Sequence, residues 1–251
     1  MAELQDWERK YFTKPGYEPF LCFVIYGDFN VDFKVSWDKY NTAGIPEGIK
    51  FMRYDQEKHP KGLKQFLSGF LWEEVKKKNP LFAAEVDNAP QCYILKGEVP
   101  DANTLNYYRD IIGIIAYLME NGGICVFDPQ MFIFWNSADW FEKIFNPKSP
   151  VPWNHVKILF SEEENGEMWF HTKGLRKYGR PDLSIHNVTK ANEPPVIDLL
   201  NRFIEFEAFG GVIEDGQQIK MEELPIGMRC ENEGTLDDPD FNNMHVEIYW
   251  E

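Results

Sequence analysis

Asp101–Trp135 reads DANTLNYYRDIIGIIAYLMENGGICVFDPQMFIFW, and this stretch decides the fold class. Leu105, Tyr108, Ile111, Ile112, Ile115 and Leu118 recur at the three- and four-residue spacing of one helix face. Asp101 or Asn103 is placed to cap the helix. It is predicted to run to Asn121, with Gly122-Gly123 supplying a left-handed exit. Ile124–Phe127 and Met131–Trp135 then form two strands around an Asp128-Pro129 turn. A helix followed by two successive strands breaks the strict alternation that builds an all-parallel sheet.

The same reading extends towards the N-terminus. Phe20–Tyr26 is a buried strand ended by Gly27, Ile49–Arg53 adds a short strand, and Cys92–Leu95 another. Lys61–Lys78 is predicted as one helix whose apolar face holds Leu63, Phe66, Leu67, Phe70, Leu71 and Val75, stopped by Asn79-Pro80. Towards the C-terminus, Ser137 is placed to cap a short helix over Ala138–Phe145. Residues 146–152 form a Pro-rich connector. Val156–Phe160 and Met168–Thr172 flank the turn dipeptide Asn165-Gly166 as a hairpin, and Leu183–Val188 is a further strand. Pro194-Pro195 starts a helix with the stripe Val196, Leu199, Leu200, Phe203 and Ile204, closed by Gly210-Gly211. Short strands are expected near Gln217–Met221 and Ile226–Cys230, followed by an acidic insert, Glu231–Asp240. Met244, Val246, Ile248 and Trp250 then alternate with His245, Glu247, Tyr249 and Glu251, the period of a strand with two unlike faces.

These elements predict an α+β fold, with mixed or mainly antiparallel sheets and two to three main amphipathic helices packed on them. The chain divides into an N-terminal α+β half, 1–148, and a β-rich C-terminal half, 149–251, with one main helix; one continuous domain is the alternative.

Composition narrows the function classes. The 251 residues are 43% hydrophobic, enough for a packed core, and 41 acids against 26 bases give a net charge of −15. Such a field repels phosphate backbones and anionic membranes, so neither nucleic acid nor membrane is expected as a partner. A basic protein partner fits it, and the chain is expected as a monomer or homodimer. The four cysteines form no CxxC pair and point to a reduced compartment. Zinc-ligand spacing is absent, and no cofactor is expected. The acidic N-terminal stretch Met1–Trp7 has no apolar core of a signal peptide, and the longest apolar run, Ile111–Met119, is short of the roughly 20 residues that span a bilayer. A cytoplasmic location is the expectation.

One segment departs from ordinary core and surface logic. Residues 171–186 read HTKGLRKYGRPDLSIH, and four cations, Lys173, Arg176, Lys177 and Arg180, crowd into an otherwise acidic chain. With Asp182 and the flanking His171 and His186, they form a candidate binding site. Gly174 and Gly179 permit a left-handed backbone, and guanidinium forks suit a carboxylate or phosphate. If their strands pair, the two imidazoles lie near each other as acid and base. The plainer reading is that Arg180 and Asp182 clamp the turn and the cations neutralise nearby acids. His245 and Glu247 share a strand face at i and i+2, a spacing that suits a metal and is also common on solvated strands. GxSxG, HExxH, P-loop and GxGxxG signatures are absent.

Gly174–Leu183 resembles the GLRKFGRPDL-type segment of some bacterial domains of unknown function. Asn121-Gly122-Gly123 followed by Ile124 to Asp128-Pro129 is similar to their helix, glycine, strand, Asp-Pro pattern. The resemblance covers residues 100–210. It implies a bacterial source and assigns no activity to any residue. Two functions remain open: a non-catalytic binding protein, immunity- or adaptor-like, with an acidic surface, and a ligand-binding domain or enzyme with an anion site at 171–186.

Overall fold

Phe20–Gly27 (β1) is an unbroken apolar run, and in the computed structural model it lies at the centre of a five-stranded sheet. The structure describes residues 4–32 and 34–250. Met1–Glu3 of the acidic N-terminal stretch and Glu251 of the terminal alternation therefore lie outside it. The described chain has two compact units, the first made of residues 4–7, 20–99 and 104–151.

The first unit continues with α1 (Trp37–Tyr40), β2 (Ile49–Asp55), α2 (Pro60–Lys64), α3 (Gly69–Lys78) and α4 (Pro80–Asp87). It closes with β3 (Gln91–Glu98), α5 (Asn106–Glu120), β4 (Gly123–Asp128), β5 (Ile133–Asn136) and α6 (Ser137–Trp140). The sheet order is β2-β3-β1-β4-β5, and every pair is antiparallel. β1 is buried along nearly its whole length, which is why its sequence reads as a continuous apolar run rather than an alternation.

Several local expectations need correction. The helix expected over Lys61–Lys78 is two helices, because Gly69 takes a left-handed φ of +78° and the backbone turns there. The turn carries Phe70 outward, 83% exposed, and brings Trp72 into the core beside Leu63 and Leu67. Asn79-Pro80 stops α3 but also begins α4, since the Asn79 side chain accepts a hydrogen bond from the Phe82 N–H at 3.3 Å. Neither Asp101 nor Asn103 caps α5, whose N-cap is Leu105 without a side-chain bond. Asn136, not Ser137, caps α6, and a π-helical turn over Phe141–Phe145 follows it.

The second unit gathers residues 8–19, 100–103 and 152–250, so the chain does not divide at a single point. Its elements are β6 (Lys157–Glu162), β7 (Met168–Lys173), β8 (Asp182–Val188), α7 (Glu193–Ala208), β9 (Arg229–Glu233) and β10 (His245–Tyr249). They form a second five-stranded sheet, order β6-β7-β8-β10-β9, antiparallel except for the parallel pair β8–β10. The fold is α+β, with seven helices among the described residues, more than expected. Glu231 and Glu233, expected in an acidic insert, are strand residues of β9, while Gln217–Met221 contributes only an isolated bridge from Gln218 to Arg229. The acids of β9 could be taken for a loop because it is an edge strand that tolerates charge.

Candidate functional site

The second sheet has two unlike faces. One carries Phe170, Leu183, Ile185, Val246 and Ile248, all at most 3% exposed. Because side chains alternate along a strand, their neighbours share the other face. There the register places His171, Ser184, Glu247 and Glu231 in one row across β7, β8, β10 and β9. A polar row of this kind brings together groups separated by up to 76 positions in the chain, as the difference between 247 and 171 gives.

Trp169 organises the row. It sits where the β7–β8 register shifts between Met168 and Phe170. The His171 ring stacks on its indole at 4.1 Å and the His186 ring at 5.0 Å, and its Nε1 donates to Ser184 Oγ at 2.9 Å. His171 and His186 thus lie on paired strands and share one aromatic platform. Phe241 packs edge-on against Trp169 and His171 and stacks on His245 at 4.3 Å.

His186 lies between two carboxylates. Its Nδ1 is 2.9 Å from Glu163 Oε1, and its Nε2 is 3.9 Å from Glu247 Oε2. Burial raises Glu163, but hydrogen bonds from the Asn187 N–H and His186 outweigh it and hold the carboxyl below its ordinary value. Burial raises Glu247, and the charges of Glu233 and Glu163 push the same way against a hydrogen bond from Ser184. Burial lowers His171 to about 4 and also lowers His245. Beside His186 the face opens into a cleft of about 330 Å³, lined chiefly by His186, Glu233, His245, Glu247, Tyr249 and Trp250. Tyr249 donates to Glu233 at 2.6 Å, which with burial raises the phenol to about 12.

The cations of the 171–186 segment point elsewhere. Lys177, Arg180 and Asp182 are at most 1% exposed. Arg180 donates from Nε to the Gly211 carbonyl at 2.7 Å and from Nη2 to the Gly210 carbonyl at 2.9 Å, just beyond the α7 C-terminus, where a cation is favoured. Its Nη1 meets Asp101 Oδ2 at 2.8 Å, and Arg9 holds the other oxygen of the same carboxylate. Asp101 thus serves as a buried counter-ion, four residues ahead of the α5 N-cap. Asp182 accepts from Thr172 Oγ1, the Leu175 N–H and Asn243 Nδ2. Gly179, at φ +67°, lies so close to Tyr17 that a Cβ there would meet the Tyr17 carbonyl at 2.2 Å.

Lys173 and Arg176 are spent on the loop between β9 and β10. Lys173 donates to the Asp240 carbonyl and lies over the Phe241 ring, and Arg176 donates to the Asn242 carbonyl at 2.6 Å. Of the seven predicted binding residues, the structure leaves only His186 lining the cleft, with His171 behind it on Trp169. It adds Glu233, Glu247, His245 and Tyr249 to the lining, and Glu163 on His186 Nδ1. The β10 alternation already placed His245, Glu247 and Tyr249 on one face, but its parallel register beside β8 is set by nonlocal pairing. Among the described residues, no group of three or more His, Cys, Asp or Glu side chains is arranged to hold a metal ion. No family model matches the chain, and no curated protein or solved structure matches it either.

Proposed function

We propose that this chain is a non-catalytic binding protein, immunity- or adaptor-like, that receives a basic protein partner on the polar face of its second sheet. The observation that carries this reading is the cleft itself. Glu233 and Glu247 line it and Glu163 holds His186 Nδ1 beside it, while Arg176 and Arg180 of the neighbouring turn are engaged by protein carbonyls and a carboxylate. An arriving guanidinium or ammonium group relieves the mutual repulsion that Glu233 and Glu163 exert on Glu247. The net charge of −15 speeds the approach of such a partner. An anion site at 171–186 is poorly supported by the same geometry, since Arg180 and Lys177 are buried. Four free, buried cysteines suit a reducing bacterial cytoplasm, and no helix among the described residues is long and apolar enough to cross a membrane.

A second reading rests on one contact. Glu163 on His186 Nδ1 orients the imidazole with Nε2 towards Glu247 and the cleft, an arrangement suited to proton transfer. Both readings can be tested with a tri-arginine peptide titrated against the isotope-labelled chain. The binding reading expects saturable shifts at His186, Tyr249 and Trp250 that Glu247→Gln weakens. Shifts spread evenly over the acidic surface, or none, would overturn it. Turnover of neutral esters that His186→Gln abolishes would favour the second reading instead.

A further inference from the structure

Each sheet ends in two strands whose outer main-chain groups must be satisfied or shielded. Three of the four edges are managed. β2 interleaves Lys50, Arg53 and Asp55 with its apolar residues. β5 has only four residues and runs directly into α6. β9 is covered by the preceding segment: the Cys230 N–H donates to the Gln217 carbonyl at 2.9 Å and the Asn232 N–H to Asp215 Oδ1 at 2.9 Å.

β6 is different. It reads Lys-Ile-Leu-Phe-Ser-Glu from Lys157 to Glu162, with four uncharged residues between its end charges and neither proline nor glycine. Its register with β7 runs unshifted from Lys157↔Lys173 to Glu162↔Met168, so no bulge twists the edge away. Phe160 is 67% exposed. The Glu163 N–H bonds the Glu167 carbonyl at 2.8 Å, which makes Glu163 and the odd-numbered residues before it the ones bonded to β7. The N–H and C=O groups of Ile158, Phe160 and Glu162 therefore point away from the sheet.

We infer that β6 is a self-association edge, pairing antiparallel with β6 of a second copy of this chain around Phe160. Regular antiparallel pairing must match outward-facing residues with outward-facing residues. Centred on Phe160, it sets Ile158 opposite the partner's Glu162 and Leu159 opposite the partner's Ser161. The charges at the strand ends select the direction. Antiparallel pairing brings Lys157 opposite the partner's Glu163, whereas parallel pairing would place the two Glu162-Glu163-Glu164 turns side by side. The two Phe160 rings meet at the symmetry axis, as an isologous interface requires. The inference shares Glu163 with the cation-binding reading but rests on Phe160 and the outward main chain of β6, which that reading does not use, so a variant at Phe160 tests it separately.

The test is sedimentation velocity of the full chain over about a hundredfold range of concentration. A monomer–dimer equilibrium is expected, and Phe160→Lys, which sets like charges on the axis, should raise the dissociation constant at least about tenfold with an unchanged circular dichroism spectrum. Phe160→Cys provides the second measurement and decides the matter should the lysine variant fail to fold. Under mild oxidation it should form a reducible dimer faster than Trp153→Cys, an exposed control outside β6; the native cysteines are buried and do not compete. A chain that stays monomeric throughout, a dimer indifferent to Phe160→Lys, or cross-linking no faster than the control would each overturn the inference.

Discussion

Two parts of the segment 171–186 carry ionisable residues and meet opposite fates. Past its middle, Arg180 and Asp182 are sealed in the second unit with every charged atom near a protein partner. At its close, His186 stands 42% exposed at the side chain, between carboxylates and beside a cleft. Residue type does not separate them. What separates them is how fully the fold supplies fixed acceptors: the carbonyls after α7 and the buried Asp101 take up Arg180, whereas His186 meets the partly exposed Glu163 at 2.9 Å and the buried Glu247 only at 3.9 Å.

The largest expected effect breaks the buried end. Arg180→Ala removes the donors to Gly210 and Gly211 and half of the charge facing Asp101, whose side chain is 3% exposed. Removing one partner of a buried pair strands the other, so a loss of about 3–5 kcal/mol is expected by chemical denaturation. His186→Ala at the open end should cost less than about 1 kcal/mol. Similar costs at the two sites would erase the distinction drawn between clamp and cleft.

Much of this contrast was beyond the sequence. The periodicity of α5, β7, β8, α7 and β10 was legible because each element buries a face of its own. The break at Gly69 was not, since Phe66, Phe70 and Leu71 satisfy a helical spacing that the left-handed glycine interrupts. The concentration of cations at 173–180 was visible, but its direction was not. Arg180 finds its acceptors at Asp101, Gly210 and Gly211, positions remote in the chain. The cleft needed the parallel register of β10 beside β8, which no local pattern encodes.

A middle-sized effect sharpens the comparison through pH. Burial raises Asp182 from 3.8 to about 6, against hydrogen bonds from Asn243, Leu175 and Thr172. The folded chain then keeps a proton the unfolded chain has lost, so Asp182 costs stability as pH rises from about 4 to about 6. His171 has the opposite sign. Burial lowers it to about 4 from 6.5, so its contribution is lost as pH falls through that interval. The wild-type profile should therefore be flatter than either group alone would make it. His171→Phe should gain stability relative to the wild type on acidification, on the order of 1 kcal/mol because the ring is partly exposed. Denaturant midpoints measured across the interval test this; a constant difference between the two proteins would refute it.

The smallest effect on stability should carry the clearest functional signal. Glu163→Gln keeps the shape of the side chain and a hydrogen bond to the Asn187 N–H, and removes a charge at a site that is a quarter exposed, 24% at the side chain. Stability should change by no more than about 0.5 kcal/mol. If carboxylates around His186 recognise a cation, tri-arginine affinity should nevertheless fall, and it should fall further in the double variant with Glu247→Gln. An unchanged affinity in the double variant would mean that this face holds its imidazole for a purpose other than binding positive charge, and the proton-transfer reading of the Glu163–His186 contact would then be the stronger one.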